Sequence, residues 1–310
     1  MGAFILRRAA YALLLLFFAS LLVFYGLRLA PGDIVSAIAS PTTEKVVRIN
    51  LTKELGLNRP LPVQYFVFVG HLVTGHFGVS IANGEKIGTI ITTAGVKTLA
   101  LGISAAILTY GLAIPLGVVA AAKRNGLMDQ STRFLVVLAM GIPNFFLAVL
   151  LIQLFGVQLG WLPVAGPGGI SHLILPAIAL SVESIALNVR LMRSSILEEL
   201  SSDYIRTLRA KGLESRRILW IHAFRNALPP VVALAGVVLP TLLGYTLVVE
   251  TIFRFEGLGY QLVQSIIKRD YALAQTLALM FTALVILFNF LADVAHHMID
   301  PRVREQGMAS

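Results

Sequence analysis

LALGISAAILTYGLAIPLGVVAA, from Leu99 to Ala121, runs for 23 residues without one charged side chain. A helix rises about 1.5 Å per residue and the hydrocarbon core of a bilayer is about 30 Å thick, so this stretch is long enough to cross a membrane. Five further windows reach or approach that length: Ala9 to Leu29, Phe134 to Leu154, His172 to Met192, Val231 to Thr251 and Leu273 to Val294. Composition agrees, with 57% hydrophobic and 13% charged residues, whereas soluble domains carry about 25% charged residues. The expected fold is all-α and integral to a membrane, with six spans. The first window follows Arg7 and Arg8 as a secretory signal would, but it is too apolar for too long and no small-x-small cleavage site follows before Pro31. It reads as a retained span.

A net charge of +9 invites a nucleic-acid reading, yet the basic residues lie between apolar runs, where they orient membrane proteins instead. Nucleic acid is therefore set aside as a partner. Without cysteine the chain has no disulfide, thiolate or Cys-based metal chemistry. Six spans place both termini on one side. That side carries Arg7, Arg8, Lys123, Arg124, Arg133, a dense run from Arg193 to Arg225, and Arg302 and Arg304. The opposite short loops carry only Arg254, Lys268 and Arg269. Positive loops stay inside, so both termini are expected in the cytoplasm.

These expectations divide the chain into a first span with its cytoplasmic end (residues 1–30), an extracytoplasmic subdomain (31–96), a five-span core (97–298) and a cytoplasmic tail (299–310). The outer subdomain is too long to obey the charge rule. Thr42 or Thr43 can cap a helix ending at Leu55–Gly56, and Pro60 and Pro62 introduce a second through Tyr65, Phe66, Val69 and Leu72.

Within the core, the cytoplasmic loop 193–229 is too long for a simple connection and reads as two short helices. Ser201 or Ser202 can cap the first, Asp203 suits its positive end, Arg209 and Lys211 its negative end, and Gly212 its stop. Tyr204, Ile205 and Leu208 form an apolar stripe amid Arg206, Arg209 and Lys211, a surface suited to insertion into a partner. Ser215 can cap a second helix carrying Ile218, Leu219, Ile221 and Phe224 toward Pro229. On physics alone the loop fits equally well on membrane lipid headgroups.

The stretch DYIRTLRAKGLESRRILWIHAFRNALPPVV, Asp203 to Val232, resembles the coupling loop of ABC-importer permeases, in the branch that imports dipeptides, oligopeptides and nickel. Five more segments carry the resemblance: LRRAAYALLLLF (Leu6–Phe17), LGLNRPLPVQY (Leu55–Tyr65), ETIFRFEGLG (Glu250–Gly259), RDY (Arg269–Tyr271) and DPRVR (Asp300–Arg304). The long outer segment is similar to that of the first of two permease subunits. Arg206, Thr207 and Leu208 stand where the wider importer pattern has Glu-Ala-Ala, and Leu228-Pro229 comes later than that pattern places Leu-Pro.

The resemblance implies a type I permease fold in a bacterial inner membrane and import by alternating access. It implies as partners a second permease subunit, two cytoplasmic ABC ATPases and an extracytoplasmic substrate-binding protein. Asp203, Tyr204, Ile205, Arg206, Thr207, Leu208, Arg209, Ala210, Lys211 and Gly212 would then make the ATPase contact. ATP and Mg would belong to the ATPases, since no G-x-x-x-x-G-K-[ST] run occurs here to cradle phosphates. The cargo is expected to be a di- or oligopeptide, with nickel, glutathione or another small solute as alternatives.

Glu183 lies mid-span, where a charge costs roughly 2.5–3.5 kcal/mol on insertion scales. It either lines the substrate pathway, with Asn144 as the second candidate beside the expected bend at Pro143, or is a packing contact that is protonated or bonded to a neighbouring helix. Arg190, two turns on, leans back toward it. Asp293, His296, His297 and Asp300 form two i, i+4 pairs on different faces, which suits interfacial anchoring better than a metal. A secondary transporter would show inverted repeats and broken mid-membrane helices, and an intramembrane enzyme would need a nucleophile or metal constellation. Neither is evident in the sequence.

Overall fold

The computed structural model describes residues 2–29, 58–166 and 168–299, with the side chains of Ala3 and of residues 295–299 excepted. The expected helix from Thr42 or Thr43 to Leu55, the His296, His297 and Asp300 pairs, DPRVR and the tail from 300 onward lie outside this description. Among the described residues the secondary structure is helical, with one isolated antiparallel bridge, Val79 to Lys86. In chain order the helices are α1 (Gly2–Leu29), α2 (Leu61–Val73), α3 (Ile87–Ala122), α4 (Leu127–Gly141), α5 (Asn144–Gln158), α6 (Ser171–Leu200), α7 (Asp203–Ala210), α8 (Ser215–Ile252), α9 (Leu258–Ile267) and α10 (Tyr271–Ile299).

Five of these, α1, α3, α6, α8 and α10, are long and apolar enough to cross a membrane. The sixth expected span is broken. Pro143 forces the preceding Ile142 into an extended conformation (φ −100°, ψ 116°), and α4 and α5 meet at 103°. The window Phe134 to Leu154 is therefore two helices rather than one rod. Pro240 sits inside a continuous α8.

Two helices exceed what spanning requires. α3 has 36 residues and α8 has 38, about 55 Å each at helical rise, so both project beyond the bilayer. The structure accordingly absorbs the second expected loop helix into α8, which runs from Ser215 through a π-helical stretch, Ile218–Ala223, and past Pro229 without interruption. Its N-cap is Glu214 rather than Ser215.

α3 and α6 make the most extensive helix pair. They approach closely at Gly117, where an added Cβ would collide with Met192 and the Val189 carbonyl. Three apolar clusters follow one another along the bundle. Leu101, Leu175, Leu180, Leu242 and Phe253 fill the middle. Met192, Ile196, Ile205, Ile218 and Ala227 fill the end that carries α7. Ile87, Ile90, Leu258, Leu277 and Phe281 fill the opposite end. α1 lies on α10, joined to it by an Arg8–Asp293 ion pair of 2.7 Å, and meets α2 through an edge contact of Phe24 with Tyr65.

Candidate functional site

α7 hangs in a short connection between α6 and α8. The turn before it is closed by Ser201 and Ser202, whose hydroxyls donate to the carbonyls of Glu198 and Glu199. Ser202 occupies the N-cap position with extended backbone, but its side chain finishes α6 rather than capping α7. At the other end the expected stop is present in full. Gly212 has φ +79°, its N–H donates to the Arg209 carbonyl at 2.9 Å, and the Leu213 N–H donates to the Leu208 carbonyl at 3.2 Å. These are the two bonds of a Schellman ending, which requires the left-handed conformation glycine adopts without strain.

The apolar stripe turns inward. Ile205 is fully buried among Met192, Ile196, Ile218 and Ala223, and Leu208 packs beside it. Ile205 therefore packs within the chain while Leu208 stays partly exposed, because the ends of α6 and α8 provide an apolar seat that the sequence alone does not display. Tyr204 locks the seat from the side. Its hydroxyl donates to Glu199 Oε2 at 2.6 Å and accepts from Asn226 Nδ2 at 3.1 Å. Partial burial, followed by the Glu199 contact, raises its phenol above the ordinary range. What α7 and the turn after it leave exposed is Asp203, Arg206, Thr207, Arg209, Ala210, Lys211 and Gly212, with Tyr204 37% exposed at the edge. Arg206 and Asp203 pair at 3.3 Å on this open face.

Next to this seat is a carboxylate that the sequence reading missed. Asp129, at the start of α4, has no exposed surface. Arg193 of α6 grips it in a bidentate contact, Nε to Oδ1 at 2.5 Å and Nη2 to Oδ2 at 2.8 Å, and the Asn125 N–H adds a third bond at 2.9 Å. A fork-to-fork pair of this kind fixes angle as well as distance. It ties the α3–α4 turn to α6 about two turns before that helix ends at Leu200.

Asn144 and Glu183, singled out separately in the sequence, meet. Asn144 Nδ2 donates to Glu183 Oε2 at 3.2 Å, and Asn144 Oδ1 is buried with no hydrogen-bond partner. The bend at Pro143 makes the contact, since it turns the first residue of α5 toward α6. Arg190 is exposed, and no ion pair joins it to Glu183 among the described residues.

At the opposite end two further acidic residues explain two of the quoted segments. Glu250 is fully buried and accepts from the Thr98 hydroxyl at 2.7 Å and from the N–H groups of Gly259 and Tyr260 at 2.8 and 3.1 Å. It thus satisfies the start of α9, and an added Cβ at Gly257 or Gly259 would strike its carboxylate. Asp270 accepts from the Ser80 hydroxyl and from the N–H groups of Ala82 and Leu273, joining the 78–86 turn to the start of α10. An acid flanking an apolar run and followed by paired glycines was the readable signal for Glu250. For Asp129 the only signal was Arg133 four residues on.

Residues 113–305 match the family described as binding-protein-dependent transport system inner membrane component, and residues 1–95 match its N-terminal family. A protein of Sinorhizobium fredii described as a probable peptide ABC transporter permease is 36% identical, covering 98% of this chain and 100% of that one. The oligopeptide transport system permease protein AppB of Bacillus subtilis is 35% identical, covering 98% and 99%. The glutathione transport system permease protein GsiC of Salmonella typhimurium is 36% identical, covering 97% and 98%. The inward-facing MetNI methionine ABC transporter shares the fold at a TM-score of 0.58 and 22% identity, covering 68% of this chain and 96% of that one. The chain belongs to the binding-protein-dependent transport system inner membrane components, the multi-pass permeases of ABC importers.

Proposed function

We propose that the chain is one of two permease subunits of a peptide importer, that α7 transmits the motion of a cytoplasmic ATPase, and that an extracytoplasmic binding protein delivers the cargo. The observation that carries this reading is the division of α7 into a locked inner face and an open outer one. A helix resting on headgroups presents its apolar face to lipid. Here Ile205 is sealed inside the chain's own bundle, Leu208 is partly covered and Tyr204 is bonded to Glu199 and Asn226, while the charged face with Ala210 at its edge is free to meet a protein. Because Ile205, Tyr204 and the Asp129–Arg193 clamp tie α7 to α3, α4, α6 and α8, a push on α7 moves the helix ends together. The pathway would then switch between inward and outward access as a packed body moves.

The peptide cargo is favoured by the names of the Sinorhizobium and Bacillus relatives. Glutathione is the second reading, supported by an equal identity to the Salmonella relative. Asn144 and Glu183 belong to the pathway in this account, where the unpartnered Asn144 carbonyl and the Glu183 carboxylate offer acceptors to an amine-bearing solute. Proteoliposomes holding both permeases and both ATPases should take up labelled dipeptide only with ATP and the binding protein present. Competition by excess glutathione and not by peptide would replace the first cargo with the second. Uptake independent of ATP would contradict the importer reading.

A further inference from the structure

At the end opposite α7, the cleft between α1, α2 and α10 holds a cavity of about 380 Å³. Arg28, Arg59, His71 and His76 line it, and no carboxylate does among the described residues. Arg28 is held in place, its guanidinium 3.7 Å over the Phe24 ring and its Nε and Nη2 donating to Gln64 Oε1. Gln275 of α10 also lines the cavity. It is only 7% exposed, and its Nε2 has no hydrogen-bond partner. A buried donor without an acceptor is costly, and an oxyanion in the cavity would satisfy it.

Leu72 belongs both to this cavity and to a second one of about 330 Å³ along the flank of the bundle. Leu13, Phe17, Val69, Leu279 and Ala283 make the second an apolar groove. Its two hydroxyls, Ser20 and Tyr65, are bonded to each other at 2.7 Å, so its walls offer hydrocarbon. A cationic chamber beside an apolar groove, with Leu72 lining both, matches an amphiphile with an anionic head. Neither a soluble anion nor a purely apolar helix uses both halves.

We propose that this cleft binds an anionic phospholipid, its phosphate in the chamber against Arg28, Arg59 and Gln275 and an acyl chain in the groove. The bound lipid would wedge α1 and α2 against α10, the long span on which α1 chiefly packs. This site is separate from α7 and from the Asn144–Glu183 pair.

Native mass spectrometry of the purified permease complex tests it, with phosphatidylglycerol, phosphatidylcholine and inorganic phosphate as probes. Both lipids carry the phosphodiester anion, but the choline quaternary ammonium meets like charge from Arg28 and Arg59 with no carboxylate among the described residues to balance it, so phosphatidylglycerol should be retained about tenfold more than phosphatidylcholine. Arg59→Gln and Gln275→Leu, neither of which removes a bond that holds the fold, should each lower phosphatidylglycerol retention several-fold. Ala283→Phe fills the groove and should weaken phosphatidylglycerol while leaving phosphate unaffected. Equal retention of the two lipids would overturn the proposal. So would phosphate binding combined with undiminished phosphatidylglycerol in Ala283→Phe, which would assign the chamber to a soluble anion.

Discussion

The Glu250 carboxylate accepts three hydrogen bonds at a position with no exposure, and its donors come from α3 and from the first turn of α9. Removing the acceptor strands all three donors, and each stranded buried donor costs about 1–3 kcal/mol. Glu250→Ala should therefore lower the thermal midpoint of the purified chain more than Glu250→Gln, which keeps one oxygen. Gly259→Ala attacks the same arrangement from the other side, because the new methyl group would overlap the Leu247 backbone and press on the carboxylate. Neighbours that share one network are not additive. The double variant Glu250→Ala, Gly259→Ala should fall short of the summed losses, as measured by thermal denaturation in detergent. Full additivity would mean that the glycine is small for some reason other than Glu250. Asp129 follows the same logic at the other end, since losing it leaves Arg193 gripping nothing in a mostly buried place.

At the scale of elements, α7 depends on Ile205. Large-to-small changes at fully buried sites cost about 2–5 kcal/mol, and Ile205→Ala acts on the fully buried side chain of α7. The expected result is local loosening with the spans intact, seen as faster trypsin cleavage at Arg206, Arg209 and Lys211. Unchanged cleavage would show that the Tyr204 bonds to Glu199 and Asn226 hold the helix without it. The long spans and the α7 stop were legible because they rest on local signals: runs without charge, a proline, a glycine at the end of a helix. The broken α4–α5 pair was half legible, since Pro143 was flagged as a bend but the 103° turn depends on what α5 packs against. The inward face of α7, the length of α8 and the roles of Asp129, Glu250 and Asp270 were not legible. Each depends on a partner far away in sequence, such as Thr98 for Glu250, 152 residues away. Periodicity reports that a stripe is apolar and is silent about whether its cover is the chain itself, lipid or another protein.

For the whole molecule, we propose from the charge distribution that the α7 end faces the cytoplasm and the Asp270 end the outside. The absence of cysteine permits a direct check with single introduced thiols. Asn83 and Ser215 are both exposed, at opposite ends of the bundle. In intact cells, Asn83→Cys should react with a membrane-impermeant maleimide and Ser215→Cys should not, and the reverse pattern would invert the orientation. The central claim is that the open face of α7 links an ATPase to the permease. Ala210 lies on that face and outside the seat, so Ala210→Glu places charge against a docked partner without disturbing Ile205. The decisive measurement is the ratio of solute taken up to ATP hydrolysed by the reconstituted complex carrying Ala210→Glu, with span insertion verified. A loss of ATPase from the complex, or hydrolysis without matching uptake, is the result predicted. A wild-type ratio with the ATPases still bound would contradict the claim.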